Sequence, residues 1–478
     1  MIYFHGYFIC QNIQSMKNTL SSITLVLFTL IPQANSAVHL SSSKTGQAII
    51  VPFYTASNQM NTLLSLNNTT DDNKAVKIHF KEAKNGDLLA SFNIYLTGQD
   101  MWTMGMGQVP SIDGGRLRMI SSDQSCTVGF PNNEDIAIEE SWLWENGTIE
   151  IIEMGTVDHF EAPANFRDCE YIAQLWETGQ AWAEDSERVM SAATGGLHAE
   201  VTLMDVEQGH SANIPIIHMD GFYGDDDIQH TAAGEPTPNL ATGTKDSLVL
   251  YDGQAISTTW PTGYEAVSAL LMKNTLTNEF NLEPEVAAQT EFITSFPTLH
   301  YHLHNESSQV PFFTSTYNPE YFKFPYFFSH SIGYFDREAK LDLYQCFVGI
   351  CPPNPGDFIK GSVVGFIANN HMSVQENYSN ILFSDQSENT YYFYTPFNIF
   401  YSGKFLLQLG PNRDQSKKND RGHDTTLPEV THEFHGLPVI GFVYSRFSNS
   451  NAQPGLLAQY AFVRKHFGEK KVVIGDAQ

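Results

Sequence analysis

Little in this chain is basic, little is sulfur, and no apolar run is long. Lysine and arginine number 26 against 53 aspartates and glutamates, a formal charge of -27. Such an excess repels nucleic-acid backbones and anionic lipid, so neither is expected as a partner. Cysteine occurs five times, with no Cys-x-x-Cys spacing, which argues against a thiolate zinc site. No apolar stretch approaches the roughly twenty residues of a membrane-spanning helix. There is no Gly-x-Ser-x-Gly elbow and no glycine-rich phosphate loop, so neither serine-hydrolase nor nucleotide chemistry has a motif here.

What is present near the start is more telling. Met16 to Ala37 reads MKNTLSSITLVLFTLIPQANSA. Lys17 supplies a positive charge, Leu20–Ile31 an uncharged and largely apolar run, and Ala34, Ser36 and Ala37 the small residues of a cleavage site. The expectation is a secretory signal peptide cut after Ser36 or Ala37. Met16 is then the true start, with residues 1–15 upstream of it. The run is too short for an uncleaved anchor. Export places the mature chain in the periplasm, on the cell surface or outside the cell.

Cys10 leaves with that segment. The remaining Cys126, Cys169, Cys346 and Cys351 form an even set in an oxidising compartment, which points to disulfides. Four cysteines allow three pairings, and proximity along the chain favours Cys126–Cys169 and Cys346–Cys351. The first would close an interval of roughly 40 residues, worth roughly 4 kcal/mol in the chain-entropy picture.

From Gly46 onward the hydrophobic period is two. Val76, Ile78 and Phe80 share one face of a strand, and Lys77, His79 and Lys81 the other. Leu88, Ala90, Phe92, Ile94 and Leu96 mark a second strand, joined to the first through Lys84-Asn85-Gly86-Asp87, a favoured hairpin turn. Ala48–Tyr54 and Leu63–Leu66 add two more. Cys169–Trp182 carries Ile172, Leu175 and Trp176 at helical spacing and is expected as a short helix. A soft boundary is expected near Thr194-Gly195-Gly196. Further on, Ala199–Val206, Val267–Met272 and Glu291–Phe296 look like strands, and Pro438–Phe447 with Leu456–Phe467 like a closing hairpin. The mature length exceeds what one core usually holds. The fold class expected is therefore mainly β: two antiparallel β-sandwich, immunoglobulin-like domains, at 38–193 and 194–478, with one or two short helices.

Several of these segments together are similar to a known group. They include Gly46–Thr55 (GQAIIVPFYT), Leu63–Thr69 (LLSLNNT), Lys74–Phe80 (KAVKIHF), Phe92–Leu96 (FNIYL) with Asp100-Met101-Trp102, and Ser125-Cys126-Thr127. Thr194–Leu197 (TGGL), Asn278-Glu279-Phe280, Thr290–Thr298 and Gly436–Phe442 (GLPVIGF) extend the likeness over most of the mature chain. The series resembles a group of uncharacterised bacterial exported or cell-surface proteins. The resemblance implies a β-rich surface protein of Gram-negative type and brings no activity with it. His300–His304, His432 and His435 depart from the pattern.

The sharpest local constellation is His300-Tyr301-His302-Leu303-His304. On a strand, His300, His302 and His304 would project from one face about 7 Å apart, a spacing suited to zinc or copper. A polar outer strand face gives the same alternation. Thr431-His432-Glu433-Phe434-His435 spaces its histidines by three, not the four a metalloprotease helix needs. Asp225-Asp226-Asp227 offers calcium loose oxygen ligands without the register of a calcium loop. The aromatic run Phe312–Phe335 is suited to core packing or to presenting rings to a sugar. The expected function is an exported structural or binding protein without catalysis or cofactor, its partner a surface component or carbohydrate. The alternative is a secreted metal-dependent enzyme using the three-His strand.

Overall fold

A computed structural model describes residues 36–109, 116–136, 141–157, 168–303, 327–328, 331–338, 341–342, 359–360, 363–371, 381–382, 390–395, 401–409 and 432–474. Of these, 53% lie in strands and 9% in helices, so the chain is mainly β.

The first strands are β1 (His39–Leu40), β2 (Ala48–Thr55), β3 (Met60–Asn68), β4 (Asn73–Glu82), β5 (Leu88–Leu96), β6 (Met101–Val109) and β7 (Arg116–Ile120). After β8 (Cys126–Val128), the short helix α1 (Ser141–Trp144) leads into β9 (Asn146–Val157). Helices α2 (Cys169–Gln174) and α3 (Ala181–Glu184) precede β10 (Met190–Ser191), β11 (Leu197–Asp205), β12 (His210–Asn213) and β13 (Ile217–Asp220). These strands form two sheets, ordered β1-β13-β2-β9-β4-β5-β8, with β10 on β9, and β12-β11-β3-β6-β7.

Period-two alternation fixes which side chains meet between the sheets. Ile49, Val51 and Phe53 of β2, Val76, Ile78 and Phe80 of β4, and Ile149 and Ile151 of β9 share a core with Leu64 and Leu66 of β3, Trp102 and Met104 of β6, and Val201 and Leu203 of β11. Each large apolar side chain so buried contributes about 1.5–3 kcal/mol. The β2–β9 register shifts between Val51 and Tyr54, where Pro52 has no N–H to give the ladder. The β4–β5 hairpin turns where Asn85-Gly86 predicts it. Gly86 sits at φ +76°, and the Glu82 carboxylate accepts from the Lys84 N–H at 2.6 Å and from that of Asn85.

The boundary expected between residues 193 and 194 does not separate the sheets. β11 pairs with β3 along its whole length, from Leu197 opposite Asn68 to Asp205 opposite Met60. β13 lies beside β2, with Ile217 opposite Ile50. Neighbouring strands along the chain are not always neighbours in the sheet, and the chain returns here to close the edges of β2 and β3.

Next come the hairpin β14 (Asp246–Tyr251) with β15 (Gln254–Thr259), helix α4 (Gly263–Leu271), β16 (Met272–Lys273), β17 (Thr275–Asn281) and β18 (Gln289–Ser295). Val267–Met272 is therefore mostly helix, a correction to the expected strand. Thr262 and Glu265 form a reciprocal capping box at its start, and every residue of α4 is buried. A helix buried all round has no polar face to show its period.

Helix α5 (Leu299–Leu303) follows, then β19 (Phe327–Phe328), β20 (Ser331–Asp336), β21 (Leu341–Asp342), β22 (Ile359–Lys360), β23 (Val364–His371), β24 (Thr390–Thr395) and β25 (Ser402–Gln408). The chain closes through β26 (His432–His435), β27 (Leu437–Pro438), β28 (Ile440–Gln453), β29 (Leu456–Lys465), β30 (Phe467–Glu469) and β31 (Lys471–Ile474). Two more five-stranded sheets result, β21-β20-β25-β17-β30 and β24-β23-β18-β28-β29. The pairing is antiparallel except for β23 with β24. Phe292 of β18 meets Phe405 of β25 at 4.5 Å between ring centroids. This core is continuous with the first, since Phe442 of β28 packs on Phe53 of β2 at 6.1 Å.

Candidate functional site

An open groove of about 660 Å³ lies between the β21-β20-β25-β17-β30 sheet and the β28–β29 hairpin. Strand pairing builds one wall as a row. Lys404 of β25 stands opposite Glu279 of β17 on one side and opposite Phe335 of β20 on the other. Direct cross-strand neighbours lie about 5 Å apart, so the three side chains act on one patch. The Lys404 ammonium lies over the Phe335 ring, 5.9 Å from its centroid. Asn281 and Ser402 form the next rung of the same ladder.

The hairpin supplies the aromatic wall. Phe447 stacks between Tyr460 at 5.0 Å and Phe462 at 5.6 Å. Phe447 is buried, whereas Phe462 and Phe335 are half-buried and line the opening. Arg464 lies over the Phe462 ring at 4.9 Å and pairs with Glu279, tying hairpin to sheet. At the far end Arg337 donates to Glu283 at 3.0 Å and also reaches the Ser402 hydroxyl. The lining thus combines apolar ring faces with a dense set of N–H donors.

A smaller depression, about 470 Å³, holds His198 and His218 with Lys44 and Lys465. The two imidazoles stack at 5.3 Å. Burial first, then the charges of His198 and Lys44, push His218 down to about 4. At neutral pH that ring is an uncharged acceptor for the Ala199 N–H at 3.2 Å, a structural use.

The densest buried electrostatics lies on the second face of β4 and β9. Lys77, His79 and Lys81, expected on a half-exposed face, are buried. Residues 228–242 strap across them and replace water with backbone groups. Lys77 Nζ donates to the Ala232 carbonyl at 2.5 Å, Asn93 to that of Thr231 at 2.8 Å, and His79 Nε2 to that of Pro238 at 2.7 Å. Burial pulls Lys77 down to about 7 and His79 to about 4. Lys81 pairs with Glu150 at 2.6 Å, and the Tyr301 hydroxyl bridges both. Along the opposite, inter-sheet face, Lys74 and Glu153 form a fully buried pair at 2.6 Å. The Thr194 and Gly195 N–H groups complete its carboxylate. These groups are occupied by the protein itself.

The expected three-His strand is corrected by α5. Successive even positions in a helix lie about 200° apart, so His300 and His302 do not share a face. His300 donates to the Asn85 carbonyl at 3.0 Å, while His302 turns inward to the Ser268 hydroxyl at 3.0 Å. Burial takes His302 down to about 3. His304 lies outside the described residues. Among those described, no three His, Cys, Asp or Glu side chains converge on a point that could hold a metal. Asp225, Asp226 and Asp227 lie in an exposed turn, with Asp227 accepting from the Gly224 N–H at 2.8 Å. His432–His435 is strand, not helix.

Cys126 and Cys169 come together. Their thiols are free and hydrogen-bonded, and burial, then Cys169, pushes the Cys126 pKa up. The expected helix there is split in two, because Gly179 takes φ +82° between α2 and α3. Cys346 and Cys351 lie outside the described residues, as does most of the aromatic run 312–335. Its last member, Phe335, lines the groove. Sequence reading missed Glu279, Lys404, Phe447 and Arg464, which no local motif joins. The one available signal was the shared face of Tyr460 and Phe462.

No family model, curated protein or solved structure matches this chain. Among the described residues no helix is long and apolar enough to cross a membrane.

Proposed function

We propose that this chain is an exported, non-catalytic binding protein that holds a saccharide in the groove between β20, β25, β17 and the β28–β29 hairpin. The observation that carries the reading is the meeting of Phe335 and Phe462 with Arg464, Lys404 and Arg337 in one open depression. A sugar ring has a C–H-rich face that packs on an aromatic ring and a hydroxyl edge that needs hydrogen bonds. The groove offers both. The Met16–Ala37 segment and the resemblance to bacterial exported and surface proteins support export.

Isothermal titration of the mature protein against neutral hexamers (glucose, N-acetylglucosamine, xylose) and acidic hexamers (galacturonate, mannuronate, guluronate) tests the reading. At least one hexamer is expected to bind saturably. Phe462→Ala should weaken it tenfold or more with the circular dichroism spectrum unchanged. No binding by any hexamer, or an unaffected Phe462→Ala, overturns the reading.

A further inference from the structure

We infer that the saccharide is acidic, a hexuronate chain whose carboxylates are read by Lys404, Arg464 and Arg337. The inference deepens the binding proposal and rests on it.

Three cations and two acids line the groove, Arg337, Lys404 and Arg464 against Glu279 and Asp336, in a chain whose formal charge is -27. With Glu283, which pairs with Arg337 at 3.0 Å, the cations and acids around the groove balance, unlike the acidic average of the chain. Both lining acids are also engaged. Glu279 accepts from Arg464, and Asp336 accepts from the Glu338 N–H at 3.0 Å. Carboxylates that read neutral sugars do so by accepting from hydroxyls, and these have part of that capacity filled.

The donors are in excess instead. A guanidinium carries five N–H donors in a fixed fork, and the bonds to Glu279 and to Glu283 with Ser402 use only part of each. Arg464 and Arg337 are 49% and 63% exposed, so the remaining donors face solvent. Lys404 is exposed and lies over Phe335, where a ring stacked on the phenyl group would bring a C6 carboxylate to the ammonium. Charge-assisted bonds of this kind are roughly twice as strong as neutral ones. The long-range repulsion from a net negative protein is screened beyond about 8 Å at physiological salt, whereas contact pairs are screened less.

The deciding pair of probes is hexagalacturonate and its fully methyl-esterified form, which keeps the rings and removes the charge. Titrated into the mature protein in 50 mM salt, the acid is expected to bind at least tenfold more tightly than the ester. In 500 mM salt that advantage should shrink severalfold. Lys404→Met should abolish most of the preference, weakening the acid at least tenfold and the ester by a smaller factor, while Phe335→Ala should weaken both alike. Equal or tighter binding of the ester, or of neutral hexamers over every acidic one, overturns the inference and leaves the saccharide reading standing. Binding of no hexamer overturns both.

Discussion

Glu279 stands directly opposite Lys404 across the β17–β25 pair, yet its carboxylate goes to Arg464 on the neighbouring hairpin. Both partners of that bridge are about half exposed or more, so water and salt cancel most of its attraction. Arg464→Gln should therefore change stability by under about 1 kcal/mol. Urea unfolding checks this, and a loss several times larger would mean that the hairpin is held mainly by this contact.

Lys74 and Glu153 are the opposite case. Burial lifts the Glu153 pKa even against the attraction of Lys74, so desolvation outweighs the pairing. Lys74→Met alone leaves a buried carboxylate without its cation and should cost about 3–5 kcal/mol. Lys74→Met with Glu153→Leu should recover most of that loss. Equilibrium unfolding of the two variants decides it. A double variant no better than the single one would point to packing rather than charge.

Five buried imidazoles should stay neutral well into acid. His79, His218, His230 and His466 are held near 4 and His302 near 3, in each case chiefly by burial. Their unfolded value is about 6.5. The unfolded chain thus binds more protons in the interval between, and stability falls as pH drops from about 6.5 towards 4. Above 6.5 the contribution is fully present. Proton NMR should show five imidazole resonances that fail to titrate between pH 7.5 and 5, and their titration near 6.5 would contradict the burial.

The Cys126–Cys169 pair should be oxidised in protein recovered from the cell exterior. Each thiol gives up a proton and an electron to a disulfide of the export compartment's oxidoreductases, so the intact mass falls by two hydrogens. Reduction should lower stability by roughly 4 kcal/mol or less. Peptide mapping without reductant checks the bridge. Alkylatable thiols at both positions in the native secreted material would count against it.

The mature terminus is expected at Ala37, after cleavage at Ser36. Val38 is fully buried, and its N–H donates to the Asp246 carbonyl at 2.8 Å. Cutting after Ala37 would place a charged ammonium at that buried nitrogen, whereas Ala37 is partly exposed. Amino-terminal sequencing of the secreted protein gives the answer directly, and a chain starting at Val38 would refute the argument.

Strands were legible because alternation and turn chemistry are local. Val76, Ile78 and Phe80 declare a face, and Asn85-Gly86 declares a turn. Helix α4 was hidden because it is short and buried on every side, its polar Glu265 and Ser268 included, although Thr262 and Glu265 held the capping signal. The burial of Lys77, His79 and Lys81 was not legible, since the strap that covers them arrives some 150 residues later in the chain. The groove lay beyond reach for the same reason. Phe335, Lys404, Phe462 and Arg464 are brought together by sheet order alone.

The return of β11 and β13 to the first pair of sheets makes the chain indivisible at the boundary expected near residue 193. A fragment ending at residue 193 would leave β2 and β3 each with a bare ladder edge, an invitation to aggregate rather than fold. The segment through β13 is therefore the shortest N-terminal piece that keeps β2 and β3 paired on both sides.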